Sequence, residues 1–212
     1  MIDDKIIHTG IGGLIAIITL WIKEYWSLRT KKEERQNRAK YFAIRLVCVL
    51  DQFVSDCTKV AFYDGLIDGH KDSQGCLDPN IPFPKPPHFS DSADDWLSIN
   101  YELMYDLHSL PPKIADANKI IEYVGEWNGP PFDVYIEEAQ YQYAILGLFA
   151  ADLAQRLRKA YEIPDQVTIS LNTDWDMHTL LRERIEKYQQ RRSTAQSCDS
   201  PLTNADTLCQ TD

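Results

Sequence analysis

The chain reads as all-α, one N-terminal transmembrane helix continuing into a cytoplasmic helical bundle of about four to five helices, and three observations predict it. Seventeen residues from Ile6 to Ile22 contain no Asp, Glu, Lys or Arg. Beyond them apolar residues recur at spacings of three and four, the repeat of helices with one buried face. Glycine and proline gather in a few places, which leaves long stretches free to stay helical.

As a helix the apolar run rises about 25 Å, near the lower limit for a hydrocarbon core of about 30 Å. Trp21, Tyr25 and Trp26 follow at the level where aromatic side chains meet headgroups, and Lys23 can snorkel outward. Gly12 and Ala16, like Thr9 and Gly13, lie four apart and give one face small enough for close helix pairing. The expected membrane anchor is therefore carried by Ile6, Gly12, Gly13, Ala16, Trp21 and Ile22. A cleaved signal peptide fits poorly, because Asp3 and Asp4 precede the run and bulky residues follow it. A buried core helix is the stronger rival, since the run is short and holds His8 and three glycines. Lys23 to Lys40 carries seven basic and three acidic residues, which predicts an outside N-terminus and a cytoplasmic domain, a single-pass arrangement.

Lys23 to about Phe62 lacks Pro and Gly, and Phe42, Leu46, Val49, Phe53, Cys57 and Val60 recur at helical spacing. One helix is expected here, leaving the membrane as a stalk and entering the core. Asp64 to Ser90 holds Gly65, Gly69, Gly75 and five prolines, so a long loop is expected, with Ile81 to Pro87 extended as a spacer across the bundle. Ser92 opens an S-x-x-D pattern that predicts a helix to about Ser109, with Pro111 and Pro112 breaking it before another to Trp127. The fourth bundle helix, from about Asp133 to Tyr161, is the most periodic: Ile136, Ala139, Tyr143, Leu146, Ala150, Leu153 and Leu157. Gln166 to Leu171 alternates and suggests a short extended piece, and Thr173 to Asp176 resembles a capping box before a last helix to about Arg192. The expected division is anchor 1–22, stalk 23–63, loop 64–91, bundle 92–192 and a disordered tail 193–212.

Charge narrows the partners. Asp64 to Asp152 carries sixteen acidic and four basic residues, in a chain of net charge -10. An acidic body repels phosphate backbones and argues against nucleic acid, whereas the basic stalk suits a lipid bilayer. Five cysteines without a CxxC pair suit a reducing compartment.

Chemistry is sparse. Asp64, Asp68, His70 and Asp72 fall within DGLIDGHKD, a set of hard oxygen donors and one imidazole able to hold a divalent cation, although the spacing departs from an EF-hand and the same residues suit any exposed turn. No phosphate loop, nucleophile elbow or HExxH is present in the sequence. Tyr101, Tyr105, Trp127, Tyr135, Tyr141 and Tyr143 are dense for one domain and are expected mostly in the core. Tyr135 and Tyr141, beside Glu137 and Glu138, are the candidate binding surface. The function expected is thus a membrane-tethered interaction or regulatory module without catalysis or cofactor, of the kind a microbial defence or stress effector uses, bound to a protein partner or to itself. The competing reading is a metal-dependent hydrolase built on Asp64, Asp68, His70 and Asp72.

Overall fold

A computed structural model describes residues 4–89, 92–165 and 177–198, the side chains of residues 4–19, 94 and 195–198 excepted. Four long helices and one single-turn helix account for the regular structure: α1 (Asp4–Ala61), α2 (Ala93–Trp96), α3 (Tyr101–Trp127), α4 (Asp133–Tyr161) and α5 (Met177–Cys198). Among the described residues there is no strand, only an isolated bridge between Ile67 and His70. The chain is all-α. Gln166 to Leu171, the capping pattern at Thr173 to Asp176 and the tail beyond Cys198 lie outside the described residues. Residues 193–198 belong to α5, although their polar composition predicted an irregular tail from Ser193.

Among the described residues no helix is long and apolar enough to cross a membrane. The expected span is therefore unsupported by the structure. The side chains of Ile6, Gly12, Gly13 and Ala16 lie outside the described set, and of the anchor residues only Trp21 and Ile22 are described, both exposed.

α4 is the centre of the bundle and touches α1, α3 and α5. Its apolar stripe explains this position, because Ile136, Ala139, Tyr143, Leu146, Ala150, Leu153 and Leu157 are all buried. Three sets of contacts give the directions. Asn118 meets Tyr143, Lys113 lies over Phe149 and Asp106 pairs with Arg156, so α3 runs antiparallel to α4. Gln140 bonds the carbonyl of Tyr63, Gly147 lies against Cys57 and Arg158 pairs with Asp51, so α1 does too. Leu181 meets Gly147, Tyr188 stacks on Tyr141 and Arg191 pairs with Glu137, which gives α5 the same sense.

α1 and α3 are consequently parallel, and the chain must return the length of the bundle between them. The glycine- and proline-rich segment makes that return. Near its start the Tyr63 hydroxyl donates to the carbonyl of Asp78 at 3.2 Å; midway the Phe83 ring lies 5.3 Å from that of Tyr143; near its end Phe89 meets Trp96, which packs edge-on against Phe42. Extended at about 3.1 Å per residue, Asp78 to Phe89 covers about 34 Å, whereas Phe42 to Tyr63 at about 1.5 Å per residue covers about 32 Å. Only a nearly straight chain closes that distance. Prolines hold it straight, and Ile81 and half-buried Leu77 and Phe89 seat it on the core. Gly65 turns the chain with φ +68°, and a Cβ there would stand 2.5 Å from Ile136 Cδ1, so both backbone and space demand glycine.

Two elements depart from the sequence reading. The helix after Ser92 lasts only one turn: Trp96 turns into the cluster of Phe42, Phe89 and His108, and α3 starts afresh where the Asn100 side chain accepts from Glu102 N–H at 2.8 Å. Pro111 and Pro112 then sit inside α3 without ending it. The reason is the stripe Leu103, Leu107, Leu110, Ile114, Ala117 and Ile121, buried on both sides of the pair, whose packing outweighs the lost backbone bonds. The aromatic set is also less internal than composition implied. Tyr143 is fully buried, Tyr135 and Tyr141 are half-buried, and Tyr101, Tyr105 and Trp127 stand exposed on α3.

Candidate functional site

The four residues of the candidate metal loop are not brought together. Among the described residues no three His, Cys, Asp or Glu side chains are placed to hold a metal ion. Asp64 and Asp72 shape turns instead: Asp64 Oδ1 accepts from Leu66 N–H at 3.0 Å, and Asp72 Oδ1 from Gln74 and Cys76 N–H at 2.8 and 2.7 Å. Such Asx bonds commit Oδ1 of each carboxylate to holding the local backbone. Asp68, at φ 51°, lies in the turn closed by the bridge that His70 forms with Ile67, and both side chains are exposed.

The candidate surface on α4 divides. Tyr135 and Tyr141 are six residues apart, about 240° round the helix, and face different neighbours. Tyr135 leans on α3, where a Cβ on Gly125 would approach its ring to 2.8 Å, and burial raises its phenol above the usual range. Glu137, Glu138 and Tyr141 each meet α5 instead, and α5 covers them. An open acidic patch was expected, and the acids are instead a seat for the chain's own last helix.

Glu138 is 4% exposed, the single charged side chain buried among the described residues. Three groups surround its carboxylate: the Tyr188 hydroxyl donates to Oε2, Gln142 Nε2 donates to Oε1 at 2.7 Å, and Arg192 stands 3.8 Å away. Burial, and then the Glu138 carboxylate that its proton serves, push the Tyr188 phenol up. The Tyr141 and Tyr188 rings stack at 4.1 Å and 12°, and Arg192 lies over the Tyr188 ring. On the rim Arg191 pairs with Glu137 at 2.7 Å, and Arg184 lies 5.7 Å from the Phe62 ring of the α1 end. At the far end Leu181, fully buried, enters a hole floored by Gly147, where a Cβ would stand 3.0 Å from both Leu181 Cδ1 and Cys57 Cβ.

The same geometry accounts for groups that look reactive in the sequence. Burial pushes the Cys57 thiol up, which suits packing rather than nucleophilic chemistry. Asp106 pairs with Arg156 at 2.7 Å, while His108 stacks on Trp96, so the two share no site. Missing from the sequence reading was the basic part of the α5 stripe, Arg184, Arg191 and Arg192, beside the inward residues Leu181, Ile185 and Tyr188. Its signal is five basic against two acidic residues between Met177 and Arg192, the opposite charge to the acidic body. No family model matches the chain, and neither a curated protein nor a solved structure matches it.

Proposed function

We propose that the chain is a membrane-tethered helical interaction module without catalytic activity, its bundle in the cytoplasm and its N-terminus outside. One observation carries the reading. Every residue from Leu20 to Arg38 is exposed on an unbroken α1, whose buried face begins only at Ala39. That stretch stands off the bundle by about 28 Å at 1.5 Å per residue. It ends in Leu20, Trp21, Ile22, Tyr25 and Trp26, all more than half exposed and continuous with the apolar run before them. Apolar surface of this extent on a projecting helix calls for a cover, and a bilayer matches both its girth and its aromatic collar.

The basic residues of the stalk divide by distance. Lys23 and Arg29 lie within about 11 Å of Ile22, close to one Debye length, and can attract anionic headgroups. Lys32, Arg35, Arg38 and Lys40 stand about 15 to 27 Å away and serve orientation rather than headgroup contact. They line an open recess with Leu97, Tyr161 and Glu162 where the stalk leaves the bundle.

Fractionation of the tagged full-length chain tests the reading. Resistance to carbonate, with the bundle protected from external protease in spheroplasts, is the expected result. Complete release by carbonate would return the apolar run to its rival reading as a core helix and remove the tether.

A further inference from the structure

We infer that the α4 face beneath α5 is an exchangeable helix seat, and that α5 of one copy of this chain occupies the seat of a second copy. The seat is selective. It offers a hole at Gly147 and Cys57 for a leucine, a ring face at Tyr141 for an aromatic, and the buried Glu138 carboxylate for a hydroxyl and a guanidinium. An occupant must present these groups at the spacing of Leu181, Tyr188 and Arg192, running antiparallel to α4. A second copy's α5 does so by identity.

Two features favour exchange over a permanently closed or open seat. α5 is held by few buried groups: Leu181 is its one fully buried side chain among the described residues, and Arg191 and Arg192 are 62% and 65% exposed in their ion pairs. Exposed pairs of this kind add little. Leaving the seat empty is costly, because the hole at Gly147 and Cys57, the Tyr141 ring and the Leu181 side chain would all be returned to water. Departure of one α5 therefore favours arrival of another.

Reach and symmetry permit it. Residues 162–176 separate α4 from α5, a contour of about 50 Å, where antiparallel neighbours usually need about two to eight residues. α5 also runs parallel to α1, so two copies related by a twofold axis along α1 can trade α5 while both stalks point the same way. That arrangement keeps both N-termini on one side of one bilayer. The inference deepens the proposed function by naming a second copy as partner. It rests on that reading only for its setting, since carbonate extraction reads attachment and the experiment below reads exchange, so either can fail alone.

The experiment uses full-length chains in which Cys48, Cys76, Cys198 and Cys209 are serine and buried Cys57 is kept. One tagged copy carries Glu137→Cys and a differently tagged copy carries Arg191→Cys, which leaves Leu181, the tyrosine stack and Glu138 in place. After co-expression a short bismaleimide joins residues that face each other across the seat. Crosslinked heterodimer at ten-fold or more above a pairing of Arg191→Cys with Tyr123→Cys on α3 is expected. A single chain carrying both Glu137→Cys and Arg191→Cys is the companion measurement. If it crosslinks internally while mixed copies never rise above the Tyr123→Cys level, exchange is refuted. If it crosslinks neither internally nor between copies, α5 is not seated as described and the inference falls with it.

Discussion

Truncating Leu181 to alanine tests how α5 is held. The side chain is fully buried, and two walls of its hole, Gly147 and Cys57, belong to the tightly packed α1 and α4. Those walls cannot collapse onto the missing atoms. Core leucine truncations cost about 2 to 5 kcal/mol, and α5 can shift inward to recover part of this, so about 3 kcal/mol is the expected loss. The remaining attachments are modest: the Tyr141 and Tyr188 stack is worth about 0.5 to 1.5 kcal/mol beyond its buried area, and the Arg191 to Glu137 pair about 0 to 1 kcal/mol. A loss of about 3 kcal/mol then raises the undocked population of α5 roughly 150-fold. Hydrogen exchange read by mass spectrometry should show peptides from 177–198 losing protection while those from α3 keep theirs. Adding Arg191→Ala to Leu181→Ala should cost almost nothing more, because both act on one docking event. Equal loss of protection across α3, α4 and α5, or strictly additive costs, would show that α5 is an integral part of the core and refute the argument.

Further outcomes follow from individual side chains. Burial pushes the Tyr143 phenol up to about 12, so its contribution is intact below pH 10, its ordinary value, and is lost as pH rises from about 10 to 12. Chemical denaturation at pH 8 and pH 11 should show Tyr143→Phe losing less stability between the two than the parent, by about 1 kcal/mol. Arg158 and Asp51 form a largely buried pair between α4 and α1, with side chains 13% and 22% exposed. Asp51→Ala should therefore lower urea stability by about 2 to 4 kcal/mol, and Arg158→Met in the same chain should recover part of it. Asp72→Ala should cost about 1 kcal/mol through the lost Gln74 and Cys76 bonds. That cost, read by thermal melts, should be the same with Mn, Mg or Zn as with chelator; a cost that appears only with metal would restore the loop as a cation site.

The elements were legible where one helix buries one stripe. On α4 all seven apolar positions are buried, and on α1 only Val49 of six is not fully so, because a period of three to four is a property of a single segment. Pro111 and Pro112 misled for the opposite reason. Their local cost was read correctly, but Leu110 and Ile114 on either side both pack on the core, and tertiary burial decided the matter. The proline-rich segment lies between these cases. Its extended form follows from composition, whereas its role as a return crossover follows only from α1 and α3 being parallel.

The candidate surface turned on a question that composition cannot answer, namely what lies on top. Glu137 and Glu138 look alike in sequence, adjacent on one helix, yet the first pairs on the rim and the second is buried beneath an element fifty residues further on. Their fates differ because 100° of helix rotation separates a side chain that reaches water from one beneath Tyr188. Opposite charge on α5 was the available clue, and it indicates more than a covering helix. Were α5 only a cover, an apolar stripe would hold it better and would leave no acid needing a partner. A seat built from stacked tyrosines, arginines and one buried carboxylate gives up adhesion and gains selectivity, which is useful only where more than one helix competes for it.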